Sequence, residues 1–171
     1  MLVDEAGFYL LPAVVRSYAP CGEPPVLCVF QTRDHLSVMS GITRRGGLFT
    51  LIRDYALTST ESALFLRHLL RHLQGKLLVI WDGSTIHRGD EVKAFLSNGG
   101  ARRVHLEPFP AYAPELNPDE GVWNYLKNVE MRNLCCKDLV DLRHELSLAI
   151  VRVRRKPEVI RSFFAGAGLD I

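Results

Sequence analysis

The most constraining stretch of the chain is Leu77-Leu78-Val79-Ile80-Trp81, five consecutive apolar residues bounded by Lys76 and Asp82. A continuous apolar run of this kind reads as a strand covered on both faces in a parallel region of sheet. Just before it, Thr58-Ser59-Thr60-Glu61 has the pattern of a capping box and opens a helix with Ala63, Leu66, Leu69, Leu70 and Leu73 at helical spacing. Gly75 stands where that helix should stop. After it, a helical stretch from Asp90 to Ser97 ends at Asn98-Gly99-Gly100, and a short strand, Arg103 to Leu106, follows. Strands and helices that alternate in this order need parallel crossovers, so the fold class is α/β, with a central strand ending at Asp82.

The first fifty residues follow a different pattern. An extended start from Leu2 to Leu11 ends at Pro12, and Pro20-Cys21-Gly22-Glu23-Pro24-Pro25 is rich in turn formers. Three β-like runs follow: Val26 to Thr32, His35 to Thr43, and Leu48 to Arg53. The separators Arg33-Asp34 and Arg44-Arg45-Gly46-Gly47 are short enough for hairpins, which suggests an antiparallel meander. Toward the C-terminus, Asn117-Pro118 supplies an N-cap and a proline at the first position of another helix. A longer helix, Lys137 to Arg155, carries Leu139, Leu142, Leu146, Ile150 and Val153 on one face. Pro157 ends it and starts a short helix with Ile160, Phe163 and Phe164.

At 171 residues the chain fits a single domain, 1–171, able to bury roughly 70% of its unfolded surface. With 47% hydrophobic and 23% charged residues, disorder, collagen and coiled coil are excluded. No stretch reaches the roughly 18 uninterrupted apolar residues of a membrane span. Met1-Leu2-Val3-Asp4-Glu5 also lacks the basic head and apolar run of a signal peptide, so a cytosolic location without membrane partners is expected. Cys21, Cys28, Cys135 and Cys136 form no C-x-x-C pair and no zinc-finger spacing, and idle thiols are expected. The net charge is only +2, but residues 121–171 hold nine basic against six acidic residues. Their densest run, Arg152-Val153-Arg154-Arg155-Lys156, suits either phosphate contact or the C-terminal end of a helix dipole.

Three acids stand out by position: Asp4 in the first strand, Asp82 at the end of the buried strand, and Glu120 in the first turn of a helix. In open α/β sheets, active groups gather beyond the carboxyl ends of strands. Converging carboxylates repel unless cations sit between them, and hard oxygen ligands suit Mg²⁺ or Mn²⁺. Two such ions about 3.5–4 Å apart serve phosphodiester chemistry by activating a nucleophile and stabilising the leaving oxygen.

Three blocks carry a family pattern: Asp4-Glu5-Ala6-Gly7-Phe8; Leu78-Val79-Ile80-Trp81-Asp82 with His87; and Pro110-Ala111-Tyr112-Ala113-Pro114-Glu115-Leu116-Asn117-Pro118-Asp119-Glu120-Gly121-Val122-Trp123 with Lys127. In these the chain resembles the catalytic domain of DDE transposases of the mariner superfamily, particularly its bacterial insertion-sequence branch. Thirty-seven residues separate Asp82 from Glu120, within that family's usual spacing. The resemblance implies a ribonuclease-H-like fold, a five-stranded mixed sheet flanked by helices. It implies that Asp4, Asp82 and Glu120 are catalytic and bind divalent metal, two Mg²⁺ or Mn²⁺ ions. The implied activity is hydrolysis of phosphodiester bonds at transposon ends and transfer of the freed 3′-hydroxyl to target DNA, commonly at a TA dinucleotide. The implied partners are double-stranded transposon-end and target DNA, a second copy of the chain in the DNA complex, and an upstream helix-turn-helix module absent from this chain. The implied setting is the cytoplasm of a bacterium, at the nucleoid. Two positions depart from the family: Gly83, where Asn is usual after the second acid, and Asp119, where an aliphatic residue often precedes the third.

Each candidate has a plainer reading. Glu120 lies three residues after Asn117, as in the return arm of a capping box. Asp82 is also what a turn or an N-cap would contain, and Asp4 is near the chain start, where solvation would explain it. His68 and His72 have metal-clamp spacing on a helix, but solvated histidines account for them better. His87 is either a positioner of phosphate or metal ligand or a structural residue. Trp123 and Tyr125 are core before they are base-stacking platforms. For Arg44, Arg45, Arg102 and Arg103, solvated turns and strand ends are the default, with phosphate contact the alternative. At the level of function, two other readings stay open: a non-catalytic remnant that occupies DNA or oligomerises, and a nuclease of the same fold acting on branched DNA or an RNA–DNA hybrid.

Overall fold

The computed structural model describes residues 1–28, 32–110 and 113–169. Strands β1 (Leu2–Tyr9), β2 (His35–Ile42), β3 (Leu48–Arg53), β4 (Leu77–Trp81) and β5 (Val104–Pro108) form one sheet in the order β3-β2-β1-β4-β5. The first three run as an antiparallel meander, with Asp4 opposite Ser40 and Ser40 opposite Thr50. β1 pairs parallel with β4, and β4 with β5. This is the mixed sheet expected from the sequence.

Helices cover both faces. α1 (Ser59–His72) and α2 (Asp90–Ser97) pack on one side, where Val3, Met39, Val79 and Trp81 meet Phe65, Leu66, Leu69, Val92 and Phe95. α3 (Pro118–Tyr125), α4 (Leu139–Arg154) and α5 (Pro157–Gly166) pack on the other. There Leu2, Phe8, Leu36, Val38 and Ile42 meet Val122, Trp123, Leu146, Ile150 and Ile160. The period-2 alternation of a strand explains the division: neighbours such as Leu2 and Val3 enter different cores.

Local signals set several boundaries. The Thr58 capping box is present, with the side chain accepting from the Thr60 backbone at 3.2 Å and Glu61 accepting from the Thr58 backbone at 3.1 Å. Asn117 caps α3 by accepting from the Asp119 N–H at 3.1 Å, and a π turn (Leu126–Glu130) extends that helix.

Other expectations are corrected. The middle strand is β1, and β4 lies beside the edge strand β5. Leu78 is 48% exposed, because the α3–α5 layer lies mainly over β1, β2 and β3. The run expected as a strand over 26–32 is not one at residues 26–28 or 32; residues 29–31 lie outside the described residues, as do Ala111 and Tyr112 of the third block. α1 ends at Leu73, whose N–H donates to Leu69 O, and Gly75 occupies the left-handed region (φ +78°) in the turn beyond. α4 starts at Leu139, two residues later than expected, behind the N-cap Asp138.

Two basic features prove structural. Arg103 closes the end of α1, donating to the carbonyls of Leu70, Leu73 and Gly75 at 3.3, 2.6 and 2.9 Å. In the Arg152–Lys156 run, Arg152 and Lys156 both bind Glu130 (2.6 and 2.8 Å), and Arg154 donates to Leu48 O and to Thr50 Oγ1. The cysteines are free; burial pushes the Cys136 thiol up to about 11, leaving it inert at neutral pH.

Candidate active site

A cleft of about 580 Å³ opens beyond the carboxyl ends of β4 and β5, and Asp4, Asp82 and Glu120 all line it. Its other walls include Val3, Trp81, Gly83, Ser84, Phe109, Pro110, Pro114 and Asn117. The three acids arrive from three separate elements. Asp4 leaves β1, Asp82 follows the last residue of β4, and Glu120 sits in the first turn of α3. Among the described residues, no Lys or Arg nitrogen lies within 4.0 Å of any of their carboxylates.

The Asp4 carboxylate is the most tightly held. Its Oδ1 accepts from the Glu5 backbone N–H at 2.9 Å. Its Oδ2 accepts from Asn117 Nδ2 at 2.9 Å and from the Trp123 indole N–H at 3.0 Å. Burial nevertheless raises its pKa above the ordinary carboxylate value, with Asp82 adding repulsion, and the three hydrogen bonds offset only part of this. Glu120 is raised too, by partial desolvation and then by the negative charge of Asp4, with Lys127 pulling the other way. Lys127 is itself lowered by burial against the pull of Glu120 and Asp4, and its ammonium lies 5.2 Å over the Phe8 ring.

Asp82, like Glu120, is exposed. Its Oδ1 accepts from the Ser84 N–H at 2.9 Å and lies 3.0 Å from His87 Nε2. That imidazole is 3% exposed and stacks on Trp81, with centroids 4.1 Å apart and planes 13° apart. Glu5 Oε1 stands 3.3 Å from the same nitrogen, so Glu5, Asp82 and His87 form a cluster whose ligand-type atoms lie within 4.8 Å of one another. Glu5 follows Asp4 in β1 and therefore leaves the opposite face of the strand; Asp82 is thus flanked by an acid on each side of the sheet.

Asp119 departs from the family pattern for a visible reason. It points away from the cleft into the protein, is fully buried, and accepts a hydrogen bond from Ser40 Oγ through Oδ1, while Oδ2 has no partner among the described residues. Burial holds its pKa well above the ordinary value despite the Ser40 bond, and Asp4, Glu5 and Glu120 add repulsion. At Gly83, a Cβ would meet nothing within 4 Å, so packing does not exclude a larger residue there. His68 and His72 are elsewhere, their rings 4.3 Å apart beside Phe49. Trp123 is core, 4% exposed, but its N–H reaches an acid 119 residues away.

Reading from the sequence found the three acids and missed Glu5, Ser40, and the donor role of Asn117 and Trp123. For Glu5 a signal existed: strand alternation places it behind Asp4.

Residues 1–143 match the family model described as DDE superfamily endonuclease. Solved structures share the fold. The Mos1 mariner paired end complex with Mn is 16% identical with a TM-score of 0.64, over 99% of this chain and 56% of that one. The catalytic domain of Mos1 mariner transposase is 15% identical with a TM-score of 0.52, over 99% and 83%. A chain of the simian T-cell lymphotropic virus intasome in complex with a PP2A regulatory subunit is 15% identical with a TM-score of 0.57, over 87% and 45%. The chain thus spans about half the length of the Mos1 chains in their DNA complexes. These likenesses carry the ribonuclease-H-like fold, a five-stranded mixed sheet with flanking helices. Comparison with curated proteins gives no match.

Proposed function

Because the chain belongs to the DDE superfamily endonucleases, we propose that it is the metal-dependent catalytic domain of a transposase, which hydrolyses phosphodiester bonds at transposon ends and transfers the freed 3′-hydroxyl to target DNA. The observation that carries this reading is the meeting of Asp4, Asp82 and Glu120 in one cleft. All three are assigned as catalytic metal ligands. The donor set fits Mg²⁺ or Mn²⁺: three hard carboxylates, with no Lys or Arg among the described residues within 4.0 Å to neutralise them, Asp4 and Glu120 being raised by burial and further by the repulsion of neighbouring acids. A pair of such ions supplies Lewis-acid activation of the attacking oxygen and charge stabilisation of the leaving one.

The chain's own residues do the rest. Asp4 approaches from β1, Glu120 from α3 and Asp82 from the end of β4, so a phosphodiester entering the cleft meets all three. The Ser84 N–H holds Asp82 Oδ1, with His87 Nε2 standing 3.0 Å from the same oxygen, which leaves Oδ2 for metal. Trp81, Phe109, Pro110 and Pro114 give the cleft apolar walls that limit water around the reacting phosphate. Two bound divalent ions would take the formal charge from +2 to +6, which favours contact with DNA.

The finer assignments belong to the same proposal. The Pro-Glu-Leu-Asn-Pro block supports the bacterial insertion-sequence branch of the mariner superfamily, hence a cytoplasmic, nucleoid-associated protein. Among the described residues no helix is long and apolar enough to cross a membrane. The similarity to the Mos1 paired end and strand transfer complexes supports transposon-end and target DNA as partners and a homodimer holding two ends. We place sequence-specific recognition in a helix-turn-helix module, with 1–171 as one catalytic domain.

The test is incubation with transposon-end DNA and Mn²⁺ or Mg²⁺. Metal-dependent nicking that is lost in Asp82→Ala and Glu120→Ala is expected. Nicking unaffected by both variants overturns the site, cleavage indifferent to end sequence favours another nuclease substrate, and no cleavage at all favours a non-catalytic DNA-binding role.

A further inference from the structure

The third block of the sequence does more than supply Glu120. Asn117, Glu120 and Trp123 follow one another at intervals of three on the first turns of α3, so they share the face turned to β1. Two of them grip Asp4 Oδ2: Asn117 Nδ2 at 2.9 Å and Trp123 Nε1 at 3.0 Å. Asn117 does this while its own Oδ1 caps the helix at the Asp119 N–H, and the Trp123 ring is fixed edge-on against Phe8, centroids 6.0 Å apart. We propose that Asn117 and Trp123 are positioning residues, which lock the Asp4 carboxylate for metal and tie its place to that of Glu120. The inference rests on the metal-binding reading of the cleft and deepens it.

The chemistry of the donors argues for this role. A carboxylate has about four lone-pair sites. Asn117 and Trp123 take both sites on Oδ2, the Glu5 N–H takes one on Oδ1, and a single Oδ1 site is left for a cation. Both side-chain donors are neutral. An Arg or Lys in their place would cancel the charge that a divalent ion needs, whereas an amide and an indole orient the carboxylate and leave that charge intact. Because both donors and Glu120 ride on one helix turn apart, the spacing of the first and third acids is set by a rigid element. Partners that orient metal ligands in this way typically contribute about 10–100-fold in metal affinity.

The experiment is Mn²⁺ titration of the whole chain, followed by the EPR signal of free Mn²⁺, with urea unfolding in metal-free buffer alongside. Trp123→Phe keeps an aromatic ring against Phe8 and removes the N–H together with the rest of the pyrrole ring, so the unfolding measurement separates lost packing from the lost donor. Asn117→Ser keeps an acceptor for the helix cap, adds no charge to the cleft, and shortens the side chain so that the donor to Asp4 is lost. Leu146→Ala, a fully buried residue of the same core, is the control for instability alone. Trp123→Phe and Asn117→Ser should each weaken Mn²⁺ binding about 10-fold or more, while Leu146→Ala lowers the unfolding midpoint and leaves Mn²⁺ affinity unchanged. Wild-type Mn²⁺ affinity in both Trp123→Phe and Asn117→Ser overturns the positioning role, as does equal weakening in Leu146→Ala. If the wild-type chain itself binds no Mn²⁺, or Asp82→Asn binds it as tightly, the metal-binding reading of the cleft falls, and the positioning role with it.

Discussion

Replacing Asp119 by Asn should flatten the pH dependence of stability. The carboxyl of Asp119 is fully buried behind the cleft, its Oδ1 accepting from Ser40 and its Oδ2 without a partner among the described residues. Burial is the first cause of its raised pKa, and the charges of Asp4, Glu5 and Glu120 add to it. Between the ordinary value of 3.8 and the raised native value, the folded protein keeps a proton that the unfolded chain has released. The contribution to stability is therefore fully present at low pH and declines as pH rises through that window, by about 1.4 kcal/mol per pH unit for one proton. Asparagine has nearly the same shape, still accepts from Ser40, and does not titrate. The assay is urea unfolding in EDTA at several values between about pH 4.5 and 7.5. Asp4 and Glu120 titrate in both proteins, so the difference between variant and wild type isolates Asp119. That difference should move in favour of Asn by about 1.4 kcal/mol per pH unit up to the native pKa. Parallel stability curves across the range would refute the claim that Asp119 is held protonated.

Three further outcomes follow from named contacts. Thr58→Ala removes the side-chain acceptor of the α1 capping box and should lower stability by about 1 kcal/mol in urea unfolding, with Mn²⁺ binding unchanged. Arg103→Ala frees three carbonyls at the end of α1 and should cost about 1–2 kcal/mol, again without effect on DNA nicking, which separates this arginine from any phosphate-binding role. His87→Gln should lower nicking about 10–100-fold through loss of the imidazole that stands 3.0 Å from Asp82 Oδ1; full activity in a folded variant would show that His87 is merely structural.

What the sequence disclosed is what local chemistry determines. The capping box at Thr58, the apolar run of β4, the Asn98-Gly99-Gly100 stop after α2 and the Asn117-Pro118 start of α3 each rest on residues within a few positions of one another, and each lies where expected. The acids were legible because strand ends and a helix start place them, and because the third block is distinctive. The residues 10–34 between β1 and β2 were harder: turn formers and β-branched residues alternate there without a face to bury, and the described part carries no strand. The supports of the site were hidden for another reason. Trp123 to Asp4, Ser40 to Asp119 and Arg154 to Leu48 join residues 119, 79 and 106 positions apart, and no periodicity or composition encodes such meetings. The basic run before Pro157 had two local readings of similar merit, and neither contained the tie to Glu130, which engages Arg152 and Lys156 from 22 and 26 positions away.

The central claim is that Asp4, Asp82 and Glu120 together hold divalent metal. Anomalous scattering from Mn²⁺-soaked crystals tests it most directly. Two peaks are expected in the cleft, both in contact with Asp4, Asp82 or Glu120 oxygens and both absent from the Asp82→Asn variant. A cleft without peaks at millimolar Mn²⁺, or density only between Glu5 and His87, would contradict it.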